Sequence, residues 1–137
     1  MRRGYSKLHS DKLIYTLLRG DDVSEARVDL SPSQEYIQAC GRVMCKGIKV
    51  KPHKHLNIDR TTDITQEAWV VVRGKVLARF YDLDNCFLCE EEVGPGDVVC
   101  FYRGGHSLEV LEDNTLFYEF KNGPYFGVSQ DKETIGE

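Results

Sequence analysis

Between Glu35 and about residue 121 the chain never sustains an apolar run longer than a short strand before turn residues interrupt it. The runs at 36–40, 43–50, 67–72, 76–81, 87–92, 98–102, 107–111 and 116–121 have the length and the β-branched or aromatic content of strands. Arg73-Gly74, Asp82-Leu83-Asp84-Asn85, Gly94-Pro95-Gly96-Asp97 and Glu112-Asp113-Asn114 separate them. Strands at such spacing predict an all-β sandwich or barrel over residues 35–121. No internal repeat or low-complexity tract breaks the pattern.

The flanks read differently. Residues 6–20 place Leu8, Lys12, Leu13, Ile14, Leu17 and Leu18 at helical spacing. Ser6 or Ser10-Asp11 can cap this stretch, and Gly20-Asp21-Asp22 can stop it. The expectation is an N-terminal helix and connector over 1–34, with His9 exposed on the helix. Residues 122–137 read as a C-terminal arm, irregular with a short helical end.

A chain of 137 residues is one domain, able to bury about two-thirds of its unfolded surface without staples. Its net charge of −4 argues against nucleic acid as a partner, because duplex affinity rests on Lys and Arg neutralising phosphates. No run approaches the ~18 apolar residues of a membrane span, and Met1-Arg2-Arg3 is not followed by the apolar segment of a signal peptide. A cytoplasmic protein is expected. Cys40, Cys45, Cys86, Cys89 and Cys100 are an odd set, read as reduced thiols that pack as small hydrophobes. Cys86 and Cys89 form a CxxC, but no second pair completes a zinc quartet.

The chemistry-bearing residues concentrate between Gly47 and Gly74. His53 and His55 are two apart, so on a strand both imidazoles leave the same face. Glu67 opens the run Ala68-Trp69-Val70-Val71-Val72, and alternation would send Glu67, Trp69 and Val71 inward together. His106 follows Arg103-Gly104-Gly105. Strands that converge can bring these three imidazoles and one carboxylate to one divalent metal. The polar stretch 56–66 beside them reads as a lid or recognition loop. Trp69, Phe80, Phe87, Phe101, Phe117 and Phe120 are read as core.

Gly47, five residues, His53-Lys54-His55, then Glu67, six residues and Gly74 resemble the first motif of the cupin superfamily. Eleven residues separate His55 from Glu67, where that family has three or four. Gly96-Asp97, a short β run, Gly104 and His106 resemble its second motif, with Tyr102 where a proline is usual. Phe117-Tyr118-Glu119-Phe120-Lys121-Asn122-Gly123-Pro124-Tyr125 is similar to the ending of the small WbuC-type cupins, which are associated with polysaccharide gene clusters. The resemblance implies a single-domain cupin-type β-barrel or jelly roll. It also implies that His53, His55, Glu67 and His106 hold a metal at the open end of that barrel.

Such ligands suit Fe, Mn, Ni, Co or Zn and leave positions open to water or substrate. The leading expectation is an enzyme acting on a small polar, sugar-derived substrate by isomerisation or epimerisation. Glu119 or Tyr125 would move the proton, Tyr125 being carried over the barrel mouth by Gly123-Pro124. An Fe(II)-dependent dioxygenase and a non-catalytic carbohydrate-binding module are the alternatives. A homodimer is expected, formed through sheet edges or residues 1–40.

Overall fold

The computed structural model describes residues 1–136. Ten strands follow one another: β1 (Arg2–Tyr5), β2 (Leu13–Leu18), β3 (Val28–Asp29), β4 (Cys40–Gly41), β5 (Glu67–Arg73), β6 (Val76–Tyr81), β7 (Phe87–Val93), β8 (Val98–Phe101), β9 (Gly105–Val110) and β10 (Leu116–Lys121). One 3-10 turn (Gly20–Asp22) and one short helix, α1 (Val128–Asp131), complete the list. Strands β1-β2-β8-β5-β10 form an antiparallel main sheet, β7-β6-β9 a smaller one, and β3-β4 a two-residue ladder. The protein is therefore all-β, as expected. Its sheets end in free edges at β1, β10, β7 and β9 among the described residues, so the barrel is not closed.

The two sheets enclose one core. Tyr15 and Leu17 from β2, Trp69 and Val71 from β5, and Val99 and Phe101 from β8 meet Val76, Ala78 and Phe80 from β6 and Val93 from β7. Tyr15 stacks on Phe80 with ring centroids 3.7 Å apart. Trp69, Phe80, Val76, Val93 and Val99 are fully buried, each contributing about 1.5–3 kcal/mol. A second apolar layer lies on the outer face of the main sheet. Here Leu13, Leu18, Ala68, Cys100 and Tyr102 are covered by Leu30, Val23, Val28, Ile37 and Ala39. The Tyr102 hydroxyl is satisfied there by Thr16 at 2.9 Å and Ser31 at 3.1 Å.

The predicted N-terminal helix is instead strand β2, with β1 folded back on it as a hairpin. All six residues of β2 are buried, because the main sheet is covered on both faces at this point. A strand buried on both faces shows no alternation, and an unbroken apolar run fits helix and strand templates alike. The register with β1 also shifts between Gly4 and Tyr5, leaving Ile14 without a partner in β1 and putting both Ile14 and Tyr15 in the inter-sheet core.

The last six predicted strands are present, 76–81 and 116–121 with the expected ends and the other four with one or both ends moved by one or two residues. The first two are not: of 36–40 only Cys40 joins a two-residue strand, and 43–50 carries none. Phe87 and Phe120 are exposed rather than core, since each points outward from its strand. The C-terminal arm has its short helical end in α1; its last residue, Glu137, lies outside the described residues.

Candidate functional site

Glu67 is the first residue of β5 and His106 the second of β9, so the pair faces across the gap between the two sheets. His106 Nε2 lies 3.4 Å from Glu67 Oε1. The alternation predicted for β5 is present: Glu67, Trp69 and Val71 are buried inward, while Ala68 turns to the outer layer. Trp69 Nε1–H donates to Glu67 Oε1 at 2.6 Å, which fixes the carboxylate. The His106 ring stacks on Phe101 at 4.2 Å and meets Trp69 edge-on at 5.4 Å. Aromatic side chains thus hold both groups, Glu67 through the Trp69 N–H and His106 through ring contacts.

Burial alone would raise the Glu67 carboxyl. The hydrogen bond and charge of His106 outweigh it, helped by the Trp69 N–H and by Lys132, and bring the group down to about 2. The carboxylate is therefore charged at any physiological pH. It sits in a cleft of about 440 Å³ whose walls include Thr65, Trp69, Arg103, Ser107, Glu119 and Ile135. That volume suits a small organic molecule.

Arg103 is positioned by a network that reaches into the segment before β5. Its Nη2 donates to both Glu35 oxygens at 2.8 and 2.9 Å, and its Nη1 to the carbonyl of Leu13. Glu35 also accepts from Gln66 Nε2 at 2.5 Å, while Gln66 Oε1 accepts the Ile37 N–H at 2.8 Å. Gln66 is buried on the side away from the cleft, so Glu67 and not its neighbour faces the site. Nothing in the sequence flagged Glu35, whose partner lies 68 residues later.

The other expected site residues are dispersed. His53 and His55 lie exposed in residues 42–66, a stretch with no regular secondary structure. Their rings are 5.7 Å apart, and His53 Nδ1 is 3.0 Å from the carbonyl oxygen of Lys51. Glu119 lines the cleft and forms no ion pair among the described residues. Tyr125 is exposed outside the cleft, with the Lys121 ammonium 4.3 Å from its ring centroid.

The structure thus brings together Glu67, His106 and Glu119 but not His53, His55 or Tyr125. Among the described residues no three His, Cys, Asp or Glu side chains are grouped to hold a metal. Glu67 and His106 have the right chemistry for two coordination positions; the remaining donors are not in place. All five cysteines are free, and no helix is long and apolar enough to cross a membrane. Comparison with protein-family models, curated proteins and solved structures gave no match, so the chain's geometry stands alone as a guide to its chemistry.

Proposed function

We propose that the chain is a small cupin-type, metal-binding protein whose cleft takes a small polar, sugar-derived substrate for isomerisation or epimerisation. The observation that carries this reading is the Glu67–His106 pair, 3.4 Å apart on opposing sheets, with Glu67 buried and His106 half-buried in the wall of a substrate-sized cleft. A divalent ion would supply Lewis-acid polarisation of a substrate carbonyl or hydroxyl. Glu67 and His106 would hold it from the sheets, and His53 and His55 from residues 42–66. Completing that set requires this segment to approach β9, which carries His106 and ends the small sheet with an unpaired edge. Glu119 is the wall residue free to accept or return a proton, and Trp69 keeps the Glu67 carboxylate aimed into the cleft.

A second reading is favoured by the pair being complete as it stands. An imidazole held by a charged carboxylate is a proton-transfer dyad that needs no metal. Elemental analysis of protein purified without added metal decides between them. About one divalent ion per chain, lost in a His53→Ala, His55→Ala variant with an unchanged circular dichroism spectrum, supports the first. A protein that takes up no metal from Fe, Mn, Ni, Co or Zn solutions refutes it and leaves the dyad. A cytoplasmic location accords with the five free thiols. Dimerisation through the open β10 edge accords with the exposed Tyr118 and Phe120 on that strand.

A further inference from the structure

Residues 131–135 stand at the cleft, held there by few attachments. Asp131, Lys132, Glu133 and Ile135 form part of its wall. Asp131 makes the main polar attachment. One carboxylate oxygen accepts from Lys121 Nζ at 2.7 Å, at the end of β10, and the other from the Thr65 hydroxyl at 3.4 Å, two residues before Glu67. The Asp131 and Lys121 side chains are only 11% and 20% exposed, so solvent weakens this ion pair less than it would an open surface pair. One apolar contact accompanies it: Ile135 Cδ1 packs 2.6 Å from where a Cβ on Gly105 would stand, filling the space that glycine leaves beside His106. Lys132 reaches in to 4.0 Å from Glu67 Oε2.

The stretch that leads to this wall is loosely attached. Tyr125, Phe126 and Val128 are exposed, and Gly127 has φ +104 with open space around it. Glycine at such a φ leaves the backbone free to swing without steric cost. A segment with few buried contacts and one principal clasp opens at far lower cost than the sheets behind it.

We propose that residues 127–135 are a lid over the Glu67–His106 cleft, hinged at Gly127 and latched by Asp131 between Lys121 and Thr65. The latch also joins the lid to Thr65, at the end of the segment that bears His53 and His55. Closing brings Lys132 to Glu67; opening removes that ammonium and the Ile135 side chain and exposes the cleft floor. The lid stands independently of whether the site takes a metal.

Trp69 is the only tryptophan and lies in the cleft wall, so its fluorescence reports opening directly. Acrylamide quenching of the full-length, chelator-treated protein is compared with that of Asp131→Asn and Lys121→Gln. Loss of the latch raises the quenching constant about two- to fivefold in both variants, the factor expected from one partly shielded ion pair. Amide exchange over 128–133 accelerates alongside, while β5 amides keep their protection. Ile135→Ala, which leaves the ion pair intact, gives a rise in the same direction. Unchanged quenching in all three variants overturns the lid. So does a rise accompanied by equal loss of protection in β5, which would mean that the sheets themselves had loosened.

Discussion

Gly104→Ala tests how the site is held, because two separate costs coincide at this residue. Gly104 has φ +72, and a Cβ built on it runs into the carbonyl oxygen of Tyr81. The left-handed backbone costs an alanine about 1–2 kcal/mol. The clash cannot be relieved by a rotamer change, since the obstructing atom is backbone. It pushes apart the Tyr81–Gly105 end of the β6–β9 ladder, which sacrifices hydrogen bonding worth about 1 kcal/mol per bond. The sum is about 3 kcal/mol, a large part of the ~5–15 kcal/mol that holds a domain of this size.

Gly47 supplies the control. Its φ is +92, but a Cβ there meets nothing within 4 Å, so Gly47→Ala carries the conformational cost alone, about 1–2 kcal/mol. Urea unfolding followed by circular dichroism measures both variants. With a slope of about 1–3 kcal/mol per molar, Gly104→Ala lowers the midpoint by about 1–3 M and Gly47→Ala by about half of that. Equal midpoints for the two variants would refute the reasoning, since the contact with Tyr81 would then contribute nothing. His106 is two residues beyond Gly104, so the same substitution also widens the Glu67–His106 contact, seen as a loss of metal uptake or of the imidazole's carboxylate-shifted resonance.

Acid stability of the chelator-treated protein follows from Glu67. Its carboxyl titrates at about 2 when folded and near 4.5 when unfolded, so the contribution is full above pH 4.5 and is lost as pH falls towards 2. Glu67→Gln flattens that decline by an amount on the order of 3 kcal/mol in denaturant titrations across this window; an identical slope in the variant contradicts the assignment. Iodoacetamide at pH 8 should label Cys45 and Cys86, which are exposed, while Cys100, buried with its thiol pushed up to about 11, reacts only after unfolding. Mass spectrometry of the native protein counts the adducts, and early labelling of Cys100 would show the outer layer to be open. Glu35→Gln releases Arg103 from its two-point clamp and lowers the unfolding midpoint, at a cost of about 1–3 kcal/mol for a partly buried charge pair. A variant as stable as the parent would mean that the clamp adds nothing.

What the sequence disclosed depended on whether a residue's surroundings were one-sided. Strand β6 alternates between covered and more open faces, so its position could be read directly, and in β5 the two-residue period still aims Glu67, Trp69 and Val71 inward although Ala68 is covered too. Strand β2 could not be read this way, since Leu13, Leu18 and Tyr15 are all buried, against different layers. Phe117 and Phe120 show the same logic applied too loosely. Three apart on one strand, they cannot both face inward, and Phe120 is the one left outside. The Glu67–His106 contact was legible through motif spacing. Glu35 was not, because an ion pair closed by distant parts of the chain leaves no local trace. Residues 43–50 carry strand-like side chains, yet composition alone does not create a strand without a paired edge.

The position of β2 also bears on how the chain is made. It lies between β1 and β8, and the Thr16–Tyr102 hydrogen bond that fastens its outer face spans 86 residues. At a ribosomal rate of about 5–20 residues per second, Leu13 to Leu18 must wait on the order of ten seconds for their partner strand to be synthesised. Throughout that interval a six-residue apolar segment has at most a hairpin with β1 to shield it. Lasting cover for that segment comes only when β8 emerges, so the main sheet assembles late rather than growing from its first strands.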